Sequence, residues 1–375
     1  MKVLLLSNYL IDRQQSMLRF ATIMEQELRS KGCEVRVIHP KVYLGGIKTF
    51  SSGLDKWLGY FDKFVIFPFT LRRASKWADI IHICDHSNAM YVKEVISRPH
   101  LVTCHDLLAV RSALGEFPEN PVRWTGKQFQ KMILEGLKQS RFVVCDSYAT
   151  QSDLIRIGLI APDLTRVIYL GLNYHFSKME PNEARKRVSA SGIDLNRPYL
   201  IHVGSDVWYK NRFAVLKIFC SLSAYPHLKD LNLIFVGSPL SNEMQDFASS
   251  NNLTSRIFHL TNVENEDLRA LYSLASALVF PSLIEGFGWP LLEAHACGCP
   301  VFTSNSAPMN EVGGEAALYI DPVQPDSAAE AIGNQWDDWD SMIQKGYENA
   351  SRFKTSFMIE EYIDIYRYLI ECRQP

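Results

Sequence analysis

Short runs of apolar residues alternate with segments of helical periodicity along the chain. Several of the runs are continuously apolar, which is typical of strands covered on both faces of a parallel sheet. We predict strands at 3–6, 35–38, 80–84, 101–104, 142–145, 199–203, 233–236, 257–260, 277–280 and 301–303. We predict helices at 16–30, 121–139, 150–158, 212–224, 241–251, 266–275, 291–297 and 357–372. This repeated alternation predicts an α/β protein with two doubly wound domains.

The length of 375 residues also favours two domains, because single cores stop growing below that size. The segment 169–175 follows the last strand-like run of the first set and is the best junction. We therefore predict an N-terminal domain at 1–172 and a C-terminal domain at 173–355. The helix in 356–375 is predicted to return to the N-terminal domain.

Composition narrows the class of protein. Hydrophobic residues make up 47% of the chain and charged residues 21%, as in soluble globular proteins. No run of 18 apolar residues predicts a transmembrane helix, and the first apolar run is too short for a signal peptide. Eight cysteines without paired spacings indicate reduced thiols and a cytoplasmic protein. Cys297 and Cys299 lack a second pair, so buried thiols are expected there rather than zinc ligands.

Charge is distributed unevenly. Residues 1–172 hold 23 Lys+Arg and 16 Asp+Glu, whereas residues 173–375 hold 16 and 25. A basic N-terminal half is suited to anionic lipid or a phosphorylated acceptor. The alternative is ordinary surface charge together with attraction between the halves. No nucleic-acid partner is expected.

Polar residues follow many of the predicted strands. In open parallel sheets ligands gather at the carboxyl ends of the strands, so these residues are candidates for a site. For Asp146 and Ser147 the alternative is capping of the following helix. The candidates after strands are Asp85, His86, His105, Asp106, Asp146, Gly204, Ser205, Gly237 and Glu285.

The stretch 281–300 is the most informative one. Glu285 and Glu293 stand eight residues apart, and a glycine-rich turn and the start of a helix lie between them. This spacing is little more than two helical turns, so both carboxylates can address one ligand. The turn exposes backbone N–H groups beside a helix N-terminus, which suits phosphate or sugar oxygens.

The segment 41–77 departs from the α/β pattern. It mixes basic residues with many aromatic ones, and apolar residues recur at helical spacing within 54–66. This composition is typical of a membrane-surface helix or of a site for a lipid-tailed ligand. The alternative is a helix that packs its aromatic stripe on the domain core. The aromatic residues are Trp57, Tyr60, Phe61, Phe64, Phe67 and Phe69.

The order of motifs in the C-terminal half resembles that of the family 4 retaining glycosyltransferases, in particular the bacterial polysaccharide and O-antigen group. The resemblance rests on 266–272, 280–288, 292–301, 311–314 and 321–322, with looser matches at 105–106 and 203–211. It implies the GT-B fold, in which two Rossmann-like domains face each other across a cleft. The N-terminal domain would then bind the acceptor and the C-terminal domain a nucleotide-sugar donor.

The resemblance also implies roles for particular residues on the donor side. Glu285 is expected to bind the sugar hydroxyls, Glu293 the ribose and Lys210 the diphosphate. His105 is expected near the reacting sugar, where it donates to a hydroxyl or steadies the transition state. We therefore expect catalytic roles for His105, Glu285 and Lys210. Backbone N–H groups expected to contact sugar and phosphates are those of Gly286, Phe287, Gly288 and Trp289 to Leu292.

The chain departs from the family at two places. Many relatives carry an arginine where Ser205 stands, so Arg212 is expected to supply the missing phosphate-binding cation. The glycine-rich first loop of many relatives is replaced by 7–15, where Arg13 or Gln15 is expected to take over. The nucleobase pocket is expected at Gly237 and in the loop 259–264, which includes Val263. Candidates on the acceptor side are Arg13, Gln15, Asp85, His86, Asp106 and Asp146.

These expectations together predict a metal-independent, cofactor-free retaining glycosyltransferase in polysaccharide biosynthesis. UDP-glucose is the first expectation for the donor and GDP-mannose the second, with a saccharide or polyprenyl-diphosphate-linked acceptor at the inner face of the membrane. Segment 41–77 would supply peripheral membrane contact. The alternatives are an epimerase or sucrose-type synthase, and a nucleotide-sugar-binding protein without catalysis. A dinucleotide oxidoreductase lacks support, because no predicted strand is followed by G-x-G-x-x-G.

Overall fold

The chain forms two compact units in a computed structural model. Unit 1 comprises Met1–Asn173 and Thr355–Pro375, and unit 2 comprises Tyr174–Lys354. The structure describes residues 1–12, 14–43, 58–59, 61–189, 192–194, 197–336 and 339–372. Each unit is built around one six-stranded parallel sheet.

Unit 1 has the strand order β2-β1-β3-β4-β5-β6. The strands are β1 (Lys2–Leu6), β2 (Glu34–Ile38), β3 (Ile80–Ile83), β4 (His100–Cys104), β5 (Val143–Cys145) and β6 (Thr165–Val167). The helices are α1 (Gln15–Ser30), α2 (Phe67–Ser75), α3 (Leu108–Leu114), α4 (Trp124–Lys138), α5 (Tyr148–Gly158) and the C-terminal α14 (Thr355–Glu371). A π-helix (Asp62–Ile66) precedes α2, and a 3₁₀ helix (His86–Glu94) follows β3.

The C-terminal helix α14 is held in unit 1 by buried side chains. The Tyr366 hydroxyl lies 2.7 Å from His82 Nδ1, and the Tyr362 hydroxyl lies 2.9 Å from Thr103 Oγ1. At the start of the helix, a Cβ on Gly171 would lie 2.5 Å from the Cα of Thr355, so only glycine permits this approach. These contacts join the last segment of the chain to the sheet of the first unit.

Unit 2 has the strand order β12-β11-β10-β7-β8-β9. The strands are β7 (Tyr199–Gly204), β8 (Asn232–Gly237), β9 (Ile257–Leu260), β10 (Ala277–Phe280), β11 (Val301–Ser304) and β12 (Ala317–Ile320). The helices are α6 (Pro181–Val188), α7 (Arg212–Leu222), α8 (Asn242–Ser250), α9 (Asn265–Leu274), α10 (Trp289–Ala296), α11 (Met309–Gly313), α12 (Pro325–Asn334) and α13 (Asp340–Ser351). β10 and β11 are buried along their whole length, and β7 and β8 are buried except at their carboxyl ends, as expected for a sheet covered on both faces.

All ten predicted strands are confirmed, with ends that differ by at most one residue. The edge strands β6 and β12 were not predicted, and neither were helices α2, α3, α6, α11, α12 and α13. The helix predicted at 121–139 begins only at Trp124, because Arg123 before it is extended. Ser147 caps α5 by accepting the Thr150 N–H at 3.1 Å, as predicted, but Asp146 does not.

The aromatic segment 41–77 is described only in part. Trp57 and Tyr60 lie outside the described residues, as do 54–56 of the predicted helical run 54–66. Among the described aromatics, Phe67 packs on Tyr91 with ring centroids 5.0 Å apart, and Phe64 packs on Phe129. Phe69 is 68% exposed. The described part therefore sends some aromatic rings into the core and leaves others at the surface.

Candidate functional site

The strand order of unit 2 brings the predicted donor residues to one edge of its sheet. β7 lies between β10 and β8, and β9 follows β8. The direction of the strand order reverses between β7 and β10, which is the position where ligands bind in sheets of this kind. Glu285 follows β10, and Ser205 and Lys210 follow Gly204 at the end of β7. Gly237 ends β8, and Val263 follows β9.

Lys210 and Glu285 form an ion pair at this reversal point. The Nζ of Lys210 lies 2.7 Å from Oε1 of Glu285, and the exposed fractions of the two side chains are 14% and 9%. The ammonium group also lies 4.7 Å from the centre of the Phe280 ring, at the end of β10. A partly desolvated cation and carboxylate are thus held side by side, where each retains access to solvent.

The backbone around Lys210 explains how the pair is positioned. Asn211 follows it with φ +52°, a left-handed conformation that asparagine tolerates better than most residues. The Asn211 side-chain amide donates to the carbonyl of Pro281 at 3.2 Å and to that of Pro322 at 2.8 Å. The Leu283 N–H donates to the Tyr209 carbonyl at 2.8 Å. The loops that carry Lys210 and Glu285 are therefore fastened to each other.

Gly204 and Gly237, at the ends of β7 and β8, lie next to each other and close to the Lys210–Glu285 ion pair. The two residues are opposite each other in the parallel register of β7 and β8. Gly237 has φ +132°, and a Cβ there would lie 2.2 Å from the Gly204 carbonyl oxygen. A Cβ on Gly204 would lie 3.3 Å from both His202 Nε2 and Lys210 Cδ. Glycine at both positions permits this close packing of the strand ends.

The glycine-rich turn leads directly into α10. Gly288 caps the helix with φ +108°, and Trp289 is its first residue. The predicted set of phosphate-binding N–H groups is smaller than expected, since Pro290 has none and the Leu291 N–H donates to the Gly288 carbonyl at 3.0 Å. Phe287 is buried against Phe353, with ring centroids 5.9 Å apart. The side chain of Leu292 is also buried.

Glu293 is the fifth residue of α10 and is buried, with only 3% of the residue exposed. Its Oε2 accepts a hydrogen bond from the hydroxyl of Tyr272 in α9 at 3.1 Å. Burial and the neighbouring carboxylate raise the pKa of the Tyr272 hydroxyl well above its usual value. Tyr272 therefore remains a donor and fixes one oxygen of the carboxylate.

Arg212, which is expected to supply a phosphate-binding cation, has partners within the unit in this structure. Arg212 is 3% exposed, and its guanidinium group donates to the carbonyls of Ser238 and Pro239 at 2.7 and 3.1 Å. The two terminal nitrogens are turned toward backbone and away from solvent, and Nε is buried without a hydrogen-bond partner among the described residues. Ser205 is exposed at the end of β7 and does not replace it.

Unit 1 also gathers polar residues where its strand order reverses, between β1 and β3. The amide of Asn8 donates to Asp85 Oδ2, and the Ser87 hydroxyl donates to the same oxygen at 2.6 Å. Asn88 donates to Asn8 Oδ1 at 3.1 Å. Asn8 was not among the predicted residues, although its place directly after an apolar strand was a usable signal. His86 Nδ1 lies 3.1 Å from Asp85 Oδ1, which helps to raise the pKa of the imidazole.

His105 is buried and has a protein partner at each ring nitrogen. Nδ1 lies 2.5 Å from Asp146 Oδ2, and Nε2 lies 2.8 Å from the Cys84 carbonyl. Burial disfavours the charged ring, but the Asp146 carboxylate outweighs it and raises the pKa of His105 to about 9. Both ring nitrogens thus have partners within the unit, and the hydrogen bond from this ring to a sugar hydroxyl stays a prediction.

The remaining acceptor-side candidates are spread along the same edge of unit 1. Asp106 accepts the Leu108 N–H at 2.9 Å at the start of α3. Gln15 is exposed and is the first residue of α1. Arg13 lies outside the described residues. The strand ends thus bring Asp85, His86, Asp106 and Asp146 to one edge, as expected from the pattern.

Within the described parts of the chain, no group of three or more His, Cys, Asp or Glu side chains is placed to hold a metal ion. All eight cysteines are free thiols, and Cys297 and Cys299 are buried. None of the helices among the described residues is both long enough and apolar enough to span a bilayer.

Comparison with known proteins agrees with this geometry. The model of glycosyl transferases group 1 matches residues 184–352, and that of glycosyltransferase family 4 matches residues 19–176. An O-antigen chain mannosyltransferase B from Escherichia coli is 25% identical over 304 residues, which cover 79% of this chain and 78% of that protein.

Two solved structures extend the likeness to the whole fold. A sucrose-phosphate synthase from Thermosynechococcus elongatus has a TM-score of 0.75 at 19% identity, with 99% of both chains covered. The Anabaena protein HepE in complex with UDP-glucose has a TM-score of 0.74 at 17% identity, with 97% of this chain and 98% of that chain covered. The two units thus have the GT-B class of fold, and the chain belongs to the family 4 glycosyltransferases and is a glycosyltransferase enzyme.

Proposed function

We propose that the protein is a retaining, metal-independent hexosyltransferase that takes its sugar from a nucleotide-sugar bound at the reversal point of unit 2. The observation that carries the proposal is the Lys210–Glu285 ion pair, 2.7 Å long and partly desolvated, between the ends of β7 and β10. A nucleotide-sugar offers partners for both groups, an anionic diphosphate for the lysine and sugar hydroxyls for the carboxylate.

The chemistry follows from where charge develops. Breaking the bond between the sugar and the phosphate leaves a nucleoside diphosphate with growing negative charge, and preorganised cations and N–H groups stabilise that charge. Lys210 supplies the cation, and the start of α10 at Trp289 supplies the dipole. Glu285 accepts from the sugar hydroxyls and holds the ring in place. Glu293 accepts from the ribose, with its other oxygen fixed by Tyr272.

The donor we propose first is UDP-glucose, and GDP-mannose is second. HepE, a structural neighbour, was solved with UDP-glucose, and the E. coli relative is named a mannosyltransferase. A thermal-shift screen against UDP-, GDP- and ADP-sugars separates these possibilities, because a ligand that binds only the folded state raises its melting temperature. The proposal expects a shift with one base class. A screen in which no nucleotide-sugar shifts the melting curve would contradict it.

The acceptor we propose is a saccharide or a polyprenyl-diphosphate-linked saccharide in polysaccharide or O-antigen synthesis. The transfer is front-face, with the leaving phosphate oxygen accepting the proton of the acceptor hydroxyl, so the anomeric configuration is retained. The coupling constant of the product anomeric proton, measured by NMR, tests this directly. An inverted product would contradict the proposed mechanism.

Metal independence is tested by measuring transferase activity in the presence and absence of EDTA. Asp338 and Asp340 form an Asp-x-Asp triplet of the kind that holds metal ions in other transferases; Asp340 begins α13, and Asp338 lies outside the described residues. We expect full activity in EDTA, because Lys210 and the helix N-terminus replace the metal ion. Activity that disappears in EDTA and returns with Mg²⁺ would refute this part.

Peripheral binding to the inner face of the membrane is proposed for unit 1. Phe61, Val65 and Phe69 are exposed beside the basic residues Arg72 and Arg73 of the described part of 41–77. Aromatic and basic side chains on one surface favour anionic bilayers. We expect the protein to float with vesicles that contain anionic phospholipid, and the double variant Phe61→Ser, Phe69→Ser to float less. Val323→Ser, which changes an exposed apolar residue of unit 2, is the control. Equal flotation of all three would refute the membrane proposal.

An assay with donor alone addresses the alternatives. An epimerase converts the donor without an acceptor, and a binding protein leaves it intact in every mixture. The proposal expects transfer only when an acceptor is present.

A further inference from the structure

Arg212, at the start of α7, is almost fully buried at the same sheet edge and has no part in the proposed donor chemistry. Its guanidinium group lies 5.1 Å from the centre of the Phe235 ring, and its two terminal nitrogens donate to the carbonyls of Ser238 and Pro239. Burying a guanidinium group is costly unless its hydrogen bonds are made. The two carbonyl contacts offset part of this cost, since Nε has no hydrogen-bond partner among the described residues.

What Arg212 holds is the loop between β8 and α8. Two consecutive carbonyls of this loop, at Ser238 and Pro239, are turned inward to the guanidinium group. The turn begins at Gly237, whose φ of +132° lets the chain leave the strand in this direction. Backbone carbonyls that point inward set the direction in which the rest of the loop faces.

A second set of contacts joins this loop to the one after β7. Arg212 Nη1 lies 3.4 Å from Asp206 Oδ1, and the Asp206 N–H donates to the Ser238 hydroxyl at 3.0 Å. Gly204 and Gly237, which end β7 and β8, are opposite each other in the register of the two strands. The ends of β7 and β8 are thus tied by one buried side chain and one backbone bond.

We infer that Arg212 is a positioning residue, which fixes the β8–α8 loop against the β7–α7 loop and so shapes the nucleoside end of the donor site. The inference rests on the proposed function for its consequence, since Gly237 is expected to line the nucleobase pocket. It replaces the phosphate-binding role expected of Arg212. A residue that acts in this way controls how tightly the donor binds more than how fast the bound donor reacts.

The test compares Arg212→Met with Arg256→Met in the full-length protein. Arg256 is a matched control, because it also lies over a phenylalanine ring, Phe219 at 5.3 Å, and donates to a backbone carbonyl, that of Lys229 at 2.7 Å. It precedes β9, so it lies at the amino edge of the same sheet. Both substitutions remove one stacked arginine and its carbonyl contacts.

The first readout is amide hydrogen exchange in the absence of donor. We expect Arg212→Met to speed exchange in 236–241 at least tenfold, and Arg256→Met to leave those amides unchanged. Arg212→Lys, which keeps the charge but cannot reach both carbonyls as a planar fork, should lie between. Unchanged exchange in 236–241 in both Arg212 variants would overturn the inference.

The second readout is donor kinetics. We expect the KM for the donor to rise about tenfold or more in Arg212→Met, with kcat changed less than threefold and no effect of Arg256→Met. A fall in kcat at unchanged KM would overturn the inference in favour of a direct role in transfer. Ser238→Ala removes only the bond from Asp206 and gives a mild variant that folds if Arg212→Met does not; it should raise the KM by a smaller factor.

The two readouts separate this inference from the proposed function. A wild-type protein that binds no nucleotide-sugar contradicts the proposed function, whereas the hydrogen-exchange comparison still decides whether Arg212 orders the loop.

Discussion

The two units of this protein use the same kind of parallel sheet but place different chemistry where the strand order reverses. In unit 1 the reversal lies between β1 and β3, and in unit 2 it lies between β7 and β10. Ligand sites of doubly wound sheets form at such points. In unit 1 the point is occupied by Asn8, Asp85 and Ser87, which are hydrogen-bonded to one another. In unit 2 it is occupied by the Lys210–Glu285 ion pair, next to the backbone of Gly204 and Gly237.

This difference is the basis on which we propose the edge of unit 2 as the site of a charged ligand. In unit 1, His105 and Asp146 are buried and form an ion pair with each other, so neither charge faces solvent. In unit 2, the cation and carboxylate keep part of their surface exposed, and a diphosphate and a sugar offer each of them a partner. Polar residues at a strand end therefore mark a site less well than charged groups that a ligand can still reach.

The largest effect, on the free energy of unfolding, is expected for the buried His105–Asp146 pair of unit 1. His105→Gln leaves the Asp146 carboxylate buried without a cation, and breaking a buried ion pair costs about 3–5 kcal/mol. We expect unit 1 to lose that free energy of unfolding, while unit 2 still binds the donor. Urea unfolding followed by hydrogen exchange measures the units separately. Unchanged stability together with a large fall in kcat would contradict the structural role and support the hydroxyl-donor role.

A smaller effect, on turnover, is expected in unit 2. Lys210→Met should lower kcat/KM about 10²–10³-fold, the scale for removing one preorganised charge-stabilising donor. Lys217→Met is the matched control, because Lys217 also has its ammonium group 4.7 Å from an aromatic ring, that of Phe213, but lies within α7. Stability should change little in either variant. Equal activity of Lys210→Met and Lys217→Met would remove the proposed role of Lys210.

Donor affinity should respond more modestly to Glu293. Glu293→Ala should weaken donor binding by about 1.5–3 kcal/mol, the scale for hydrogen bonds to charged groups. Tyr272→Phe removes only the hydroxyl that fixes Oε2, so its effect should be about 0.5–1.5 kcal/mol. Calorimetry with the donor found in the screen gives both values. A donor bound equally well by Glu293→Ala would exclude the ribose contact.

The smallest effect concerns pH and again separates the units. The pKa of His105 is raised to about 9, so folded unit 1 keeps a proton that the unfolded chain loses above about 6.5. Its stability should therefore fall as pH rises from about 6.5 toward 9, by at most about 1.4 kcal/mol per pH unit. In unit 2, burial lowers the pKa of His202 to about 3 and that of His295 to about 4, so stability falls as pH drops below about 6.5.

Hydrogen exchange, corrected for its intrinsic pH dependence, checks the predicted loss of stability of unit 1 between pH 7 and 8. This interval lies below the pKa of cysteine thiols in the unfolded chain. Core amides of unit 1 should lose protection over that interval in the wild type and lose less in His105→Gln, where of the two histidines with a raised pKa only His86 remains. A unit 2 core that loses as much as unit 1 would show that the alkaline loss does not come from His105.

The sequence was most reliable for the sheet and least reliable for contacts between distant residues. Buried strands such as β1 and β10 contain continuous apolar runs, so they could be recognised directly. The edge strand β6 has only three residues, one of them Arg166, and carried no such signal. β6 forms a strand by pairing with β5, and a local sequence pattern carries no information about that pairing.

The roles of individual residues could also be predicted only in part from the sequence. The motif around Glu285 and its relation to Lys210 could be expected, because the family resemblance and strand order both point to one edge. The partners of His105 and Arg212 could not, because Asp146 lies 41 residues from His105, and Pro239 lies 27 residues from Arg212. Neither residue type reveals whether its charge faces a ligand or is already paired inside the fold.

Calorimetric titration of the donor identified in the screen tests the central claim most directly. The comparison is between Glu285→Gln, at the reversal point of unit 2, and Asp85→Asn, at that of unit 1. We predict that Glu285→Gln weakens donor binding at least tenfold, whereas Asp85→Asn binds the donor as the wild type does. Equal affinities in the wild type and Glu285→Gln, or a loss confined to Asp85→Asn, would contradict the assignment of the donor site to unit 2.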